Sequence, residues 1–227
     1  MTQWERFLDT FFNGTVIARY MPAILEGMLV TLQLAVVVVV TGVALGLLLA
    51  CLRAYRIRPV SFVIVAFADI LRALPPLVLI LIVYFGLPSL GIRLSAFAVI
   101  WIVLALALAA FAEEIFWAGI LSIDKGQWQA ARSTGLGFTQ TLAYVVVPQA
   151  FRLTLPPLTN RAIAITKSTA LGMVIGLPDI LGQATTAQSF SGNASPLVVA
   201  AVAYILLFLP LVVASRVLEG RIRWSHA

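Results

Sequence analysis

The chain has 227 residues, 62% of them hydrophobic and only 11% charged, with a mean hydropathy of +1.05. A water-soluble domain carries about 25% charged residues, so this composition excludes a mostly water-exposed surface and makes lipid the main solvent. The net charge of +6 does not indicate nucleic acid, because the basic residues sit in short clusters between apolar runs, the pattern of membrane orientation.

Residues 1–27 read as an N-terminal segment outside the membrane core. Within them, 7–25 reads as an interfacial helix interrupted by Arg19 and Pro22, with no small-residue cleavage site after it. Residues 28–220 read as one membrane domain. A helix needs about 20 apolar residues to cross the hydrocarbon core, and residues 28–52 supply them. Thr31 and Gln33 in that run are expected to make interhelical hydrogen bonds. The only cysteine, Cys51, lies there too, and the only histidine, His226, is at the C-terminal end. That composition argues against an internal disulfide, a metal site and a His-based nucleophile.

The second run, 60–87, contains Asp69, Arg72, Pro75 and Pro76. Asp69 and Arg72 are three apart and can pair on one helix face. The prolines predict a break whose freed carbonyls must be buried in protein or line a cavity. Arg72 has two readings, a residue of a pathway or gate and a structural ion pair, and the second is the plainer.

The third run is 95–111. A polar, glycine-punctuated stretch follows over 112–160, and the fourth run is 155–177. Lys167, Ser168 and Thr169 fall in the middle of that run. A lysine at membrane depth is a functional-site hypothesis by default; it would receive a substrate carboxylate or pair with Glu113, Glu114 or Asp69. Residues 178–196 are small and polar, with Asp179 the only charge. They read as an external loop, either plain and solvated or a rest for a soluble binding protein. The fifth run is 197–217, and 221–227 form a tail.

Basic residues orient these spans. Arg53, Arg56 and Arg58 follow the first run, Lys125, Arg132 and Arg152 lie in the polar stretch, and Arg216, Arg221 and Arg223 follow the fifth run. The opposite side has only Arg6, Arg19 and Arg93. The richer side is cytoplasmic, which predicts an external N-terminus, an internal C-terminus and an internal polar stretch.

Within that stretch, residues 126–135 read GQWQAARSTG. Most of these favour helix, and Gly135 and Gly137 suit a left-handed stop. Trp128 and Ala131 share a face, and Ala130 and Ala131 keep the helix slim enough for a cleft on another protein. On physical grounds alone, a docking surface and a connecting loop are equally open. Glu113 and Glu114 are adjacent, so on a helix they diverge by about 100° and do not form a shared enzymatic site.

The strings AEEIFWAGILSIDKGQWQAARSTGLG, then QT, PQAFR and LPPLTN, resemble the EAA loop of integral-membrane subunits of bacterial ABC importers. More narrowly they are similar to polar-amino-acid permeases of the histidine/glutamine type. RALPPLVLILIVYFGLP upstream and KSTALGMVIGLPDIL downstream extend the resemblance in order along most of the chain. It implies an all-α membrane protein of about five transmembrane helices, the type I ABC importer transmembrane fold. It implies a cytoplasmic loop over about 113–157 whose coupling helix docks on an ATPase subunit through Gly126, Gln127, Trp128, Gln129, Ala130, Ala131, Arg132 and Gly135. A second permease subunit, identical or paralogous, and a periplasmic amino-acid-binding protein are the other implied partners, in the bacterial inner membrane. ATP and Mg are expected on the ATPase subunits and no cofactor on this chain, which has no G-x-x-x-x-G-K-[ST] motif. Arg72, Lys167 and Thr169 are the candidate substrate pathway. The competing reading is an ion-coupled carrier or channel for small polar solutes.

Three positions depart from the family pattern. Gln129 stands where the first acid of EAA is usual, Trp117 where an arginine is common, and Glu113 where a small residue is usual. The first puts the polarity of the ATPase contact in question.

Overall fold

The computed structural model describes residues 2–224, with side chains up to residue 217. The end of the expected tail, including His226, lies outside the described residues, as do the side chains of Arg221 and Arg223. Every regular element among the described residues is helical.

Helix α1 (Gln3–Phe12) starts from a capping box. The Thr2 hydroxyl accepts from the Glu5 N–H at 3.2 Å, and the Glu5 carboxylate accepts from the Thr2 N–H at 2.8 Å. Trp4, Phe7 and Phe11 form an exposed aromatic stripe on it, the face an interfacial helix presents to lipid. Helix α2 (Gly14–Ala54) continues through Pro22 without a break, so the run 28–52 is the later part of a longer helix. Helices α3 (Arg58–Ala73) and α4 (Pro76–Gly86) are separated at Leu74 and Pro75, where a proline removes a donor and turns its predecessor away from helix.

After a short 3-10 turn (Leu87–Leu90), helix α5 (Ala96–Ser122) extends well past the apolar run and carries Glu113 and Glu114 inside it. Helix α6 (Lys125–Ser133) follows, then α7 (Phe138–Thr141) and a π-helical segment (Leu142–Val146) that leads into α8 (Val147–Lys167). Pro156 and Pro157 lie inside α8. A 3-10 segment (Ser168–Ile175) comes next, then α9 (Ile180–Ser191) and α10 (Ser195–Trp224).

The stretch 178–196, read as a loop, thus contains a helix. Asp179 caps it by accepting the Gly182 N–H at 2.8 Å. Ile180, Ala184 and Ala187 are buried at helical spacing; their small size made this face inconspicuous among polar neighbours.

Three helices are long and apolar enough to cross a membrane, and each of two bent helix pairs taken as one span brings the number up to five. Large apolar side chains such as Leu29, Val36, Val40, Phe62, Ile205 and Leu206 remain exposed on them. Patches of this extent suit lipid, not water, and the chain is a multi-pass membrane protein.

The helices form two compact units. The first comprises the chain up to Val38, Pro76–Leu104 and Thr166–Val213. Its core gathers Ile24, Ile180, Ala184, Ala200 and Ala203. The Thr31 hydroxyl accepts from the Ile180 N–H at 3.3 Å and donates to the Gly27 carbonyl at 3.0 Å, so Thr31 does join two helices, whereas Gln33 is exposed.

The second unit comprises Val39–Pro75, Ala105–Ile165 and the chain from Ala214 onward. Its core includes Ala50, Ala112, Phe116, Ile120, Val146, Ala150 and Leu158. Here Gly42 and Gly46 form a G-x-x-x-G face. A Cβ on Gly46 would lie 2.5 Å from Ala112 Cβ, and one on Gly42 would lie 2.9 Å from Leu108 Cβ. Only glycines let the two backbones come this close.

Candidate functional site

Helix α6 is set by its ends. The Asp124 carboxylate accepts the Gly126 N–H at 2.6 Å, capping the first turn. At the other end Gly135 has φ of 90°, a left-handed stop that glycine adopts without strain. The helix therefore begins at Lys125, just after its aspartate cap and one residue ahead of the glycine expected to bound it.

Trp128 and Ala131 share one face, as their spacing predicts, and that face is turned into the protein. Ala131 is buried and Trp128 half-buried. The Trp128 ring stacks on Phe138 at 5.5 Å, and Phe138 meets the Tyr55 ring edge-on at 5.1 Å. The hydroxyls of Tyr55 and Thr139 lie 3.0 Å apart. Gln149 Nε2 donates to Gln127 Oε1 at 3.4 Å and to the Val145 carbonyl at 2.8 Å. Gly126, Gln127, Gln129, Ala130, Arg132 and Gly135 are exposed. Among the eight expected docking residues, Trp128 and Ala131 therefore pack the helix in place, Gln127 is exposed but bonded to Gln149, and the other five form its free surface.

The charged residues of the same unit are committed to one another. Glu113 is fully buried and accepts from Arg53 at 3.0 Å, while the Arg53 guanidinium lies 4.6 Å over the Trp117 ring. Glu113 and Trp117, two of the departures from the family pattern, are one helical turn apart and share Arg53 as their partner. Arg72 pairs with Asp69 at 2.6 Å and also with Glu114, so the carboxylates considered for Lys167 are each held by an arginine. The Arg161 guanidinium lies 3.9 Å over the Phe111 ring.

In the other unit, Lys167 is exposed and its Nζ is 6.0 Å from the Phe208 ring centre. It lines a cavity of about 410 Å³ with Ala170, Tyr204, Phe208 and Leu209 among its neighbours. Thr169 is fully buried, and its hydroxyl donates to the Thr166 carbonyl at 2.9 Å. Tyr204 donates to Asp179 at 3.4 Å.

Sequence reasoning missed Arg53 as an organising residue and missed the Gly42–Gly46 seam. The second carried a readable signal, G-x-x-x-G inside an apolar run. The first had none, because Arg53 and Glu113 are sixty positions apart. Among the described residues no group of three or more His, Cys, Asp or Glu could hold a metal.

The family described as the binding-protein-dependent transport system inner membrane component matches residues 42–224. The chain is 35% identical over 214 residues to the probable glutamine ABC transporter permease protein of Bacillus subtilis, covering 92% of this chain and 98% of the relative. It is 34% identical over 214 residues to the arginine transport system permease protein of the same organism, covering 93% and 97%. A crystal structure of an amino acid ABC transporter with histidines is similar with a TM-score of 0.81 at 33% identity, covering 90% of this chain and 96% of that one. Matched over most of its length and aligned nearly end to end with such relatives, the chain belongs to the family of binding-protein-dependent transport system inner membrane components, as a membrane-spanning permease subunit.

Proposed function

We propose that this chain is the permease subunit of an ATP-driven importer for polar amino acids in the bacterial inner membrane. The observation that carries this reading is the nearly end-to-end likeness to glutamine and arginine permeases. The positive-inside pattern puts the N-terminus outside and α6 in the cytoplasm. There α6 is the coupling helix, and an ATPase subunit that binds ATP and Mg docks on Gln127, Gln129, Ala130 and Arg132. Gln129 makes this contact by neutral hydrogen bonds where an acid would add a charge, so it is less salt-sensitive. A second permease subunit, identical or paralogous, completes the pathway, and a periplasmic binding protein delivers the amino acid.

The packing of α6 supports a lever. Movement of the helix passes through Trp128, Phe138 and Tyr55 to the end of α2, and through Gln127 and Gln149 to α8. Close-packed groups of this kind shift as rigid bodies. Of the three pathway candidates, Lys167 fits best, because it is an exposed cation on a cavity and can meet a substrate carboxylate. Arg72 is taken by two carboxylates, and the Thr169 hydroxyl by a backbone carbonyl.

The test is purification of the intact assembly and uptake into vesicles. An ATPase subunit is expected to accompany the chain, and uptake of a polar amino acid is expected to require ATP. Uptake driven by an ion gradient, with no nucleotide hydrolase present, would establish the carrier instead. Within a working assembly, Lys167→Ala is expected to lower uptake while leaving the ATPase bound; unchanged uptake removes Lys167 from the pathway.

A further inference from the structure

We propose that the cavity beside α6 binds the phosphate headgroup of an anionic phospholipid. The cavity has a volume of about 410 Å³ and is lined by Tyr55, Arg56, Trp117, Lys125, Trp128 and Phe138. That size suits a small ligand. It lies within a single unit, at the charged end of α2.

Three features point to this occupant. The cations come first: Arg56 and Lys125 are exposed, and neither side chain has an ion pair among the described residues. This contrasts with Arg53 and Arg72 nearby, which are both paired. The neighbouring carboxylate, Asp124, is engaged in capping α6 and does not line the cavity. Basic pockets between membrane helices bind anionic lipid headgroups through such cations.

The aromatic residues come second. Tyr55, Trp117 and Trp128 have the amphipathic rings that gather at the headgroup level of a bilayer. Leu121 is exposed at the rim and offers an apolar edge for an acyl chain. A soluble phosphate would use the cations and leave the exposed Leu121 without an apolar contact.

The backbone of Arg56 comes third. It has φ of 57°, and among the described residues it is the one non-glycine with positive φ. Glycine would take this conformation without strain. An arginine held there keeps a cation at the cavity, and strain retained at one residue is a pointer to function.

The site adds to the importer reading and does not depend on it, because the experiment reads bound lipid and not transport. The full-length chain, with any subunits that accompany it, is extracted and examined by native mass spectrometry after exchange into phosphatidylglycerol or phosphatidylcholine. Retention of phosphatidylglycerol over phosphatidylcholine is expected. Each surface cation contributes about fivefold to association with anionic lipid, so Arg56→Gln/Lys125→Gln is expected to lower retention roughly thirtyfold. The charge-keeping pair Arg56→Lys/Lys125→Arg and a distant pair, Arg19→Gln/Arg93→Gln, are expected to retain the lipid. Should the first pair lower the melting temperature, Lys125→Gln alone gives the same reading at about fivefold. Equal retention by the neutral pair and the unmodified chain overturns the proposal. So does displacement of the lipid by inorganic phosphate, which makes the ligand soluble, or loss of the lipid whenever a nucleotide hydrolase is bound, which gives the cavity to that subunit.

Discussion

In the unit that holds α6, paired charges make the polar contacts; around Asp179, hydroxyls and small apolar side chains make the contacts. In the first region Arg53 is gripped by Glu113 and Trp117, and Arg72 by Asp69 and Glu114. In the second, Thr31 and Tyr204 reach the start of α9 by hydrogen bonds, and the nearby cation, Lys167, has an aromatic ring at 6.0 Å. The difference teaches which charges are structural. A cation with two partners is part of the frame, while one left at a cavity is available to a ligand.

The largest effect expected from breaking this contrast is at Arg53. Arg53→Ala leaves Glu113 buried without its partner and is expected to cost about 3–5 kcal/mol, read as a fall in thermal stability in detergent. Arg53→Ala/Glu113→Ala is expected to recover part of that loss; no recovery would mean that the pair is not coupled. Next is the glycine seam. Gly46→Ala places a methyl against Ala112 and two backbone atoms, and overpacking of this kind costs about 1–3 kcal/mol.

Smaller effects are expected in the other region. Asp179→Ala removes the cap of α9, a loss of about 1 kcal/mol, whereas Asp179→Asn keeps a capping oxygen and should change little. Thr31→Val removes an interhelical hydrogen bond worth about 0.6 kcal/mol in a membrane. Gly86→Ala sharpens the contrast with Gly46, because nothing lies within 4 Å of the new methyl. It is expected to stabilise by about 0.5 kcal/mol through the unfolded chain; a loss comparable to that at Gly46 would show that the seam is not special.

The sequence made the helical class, the runs and the broken second run legible, because apolar length and proline act locally. Gly126 as a bound places the start of α6 one residue late, and Asp124 is the cap signal that sets it. The face of Trp128 and Ala131 was found, but which way it turned was not, because that depends on Phe138 and Tyr55. Glu113 and Glu114 looked like the start of a polar link. They remain inside α5 because distant arginines neutralise them, and pairing across sixty positions leaves no local pattern. The helix over Ile180–Ser191 was hidden by its small residues, whose burial depends on tertiary packing more than on hydropathy.

The first and last parts of the chain are stitched together outside the apolar runs. The Asn193 side chain donates to the Asp9 carbonyl at 2.8 Å, the Ala194 N–H donates to the Thr10 carbonyl at 3.0 Å, and the Asn13 N–H donates to Ser195 at 2.9 Å. That last pair is 182 positions apart. A ribosome adding about 5–20 residues per second takes roughly ten to forty seconds to make the missing partners. Throughout that interval α1 lacks these contacts, so its docking is a late event in biogenesis that waits for the start of α10.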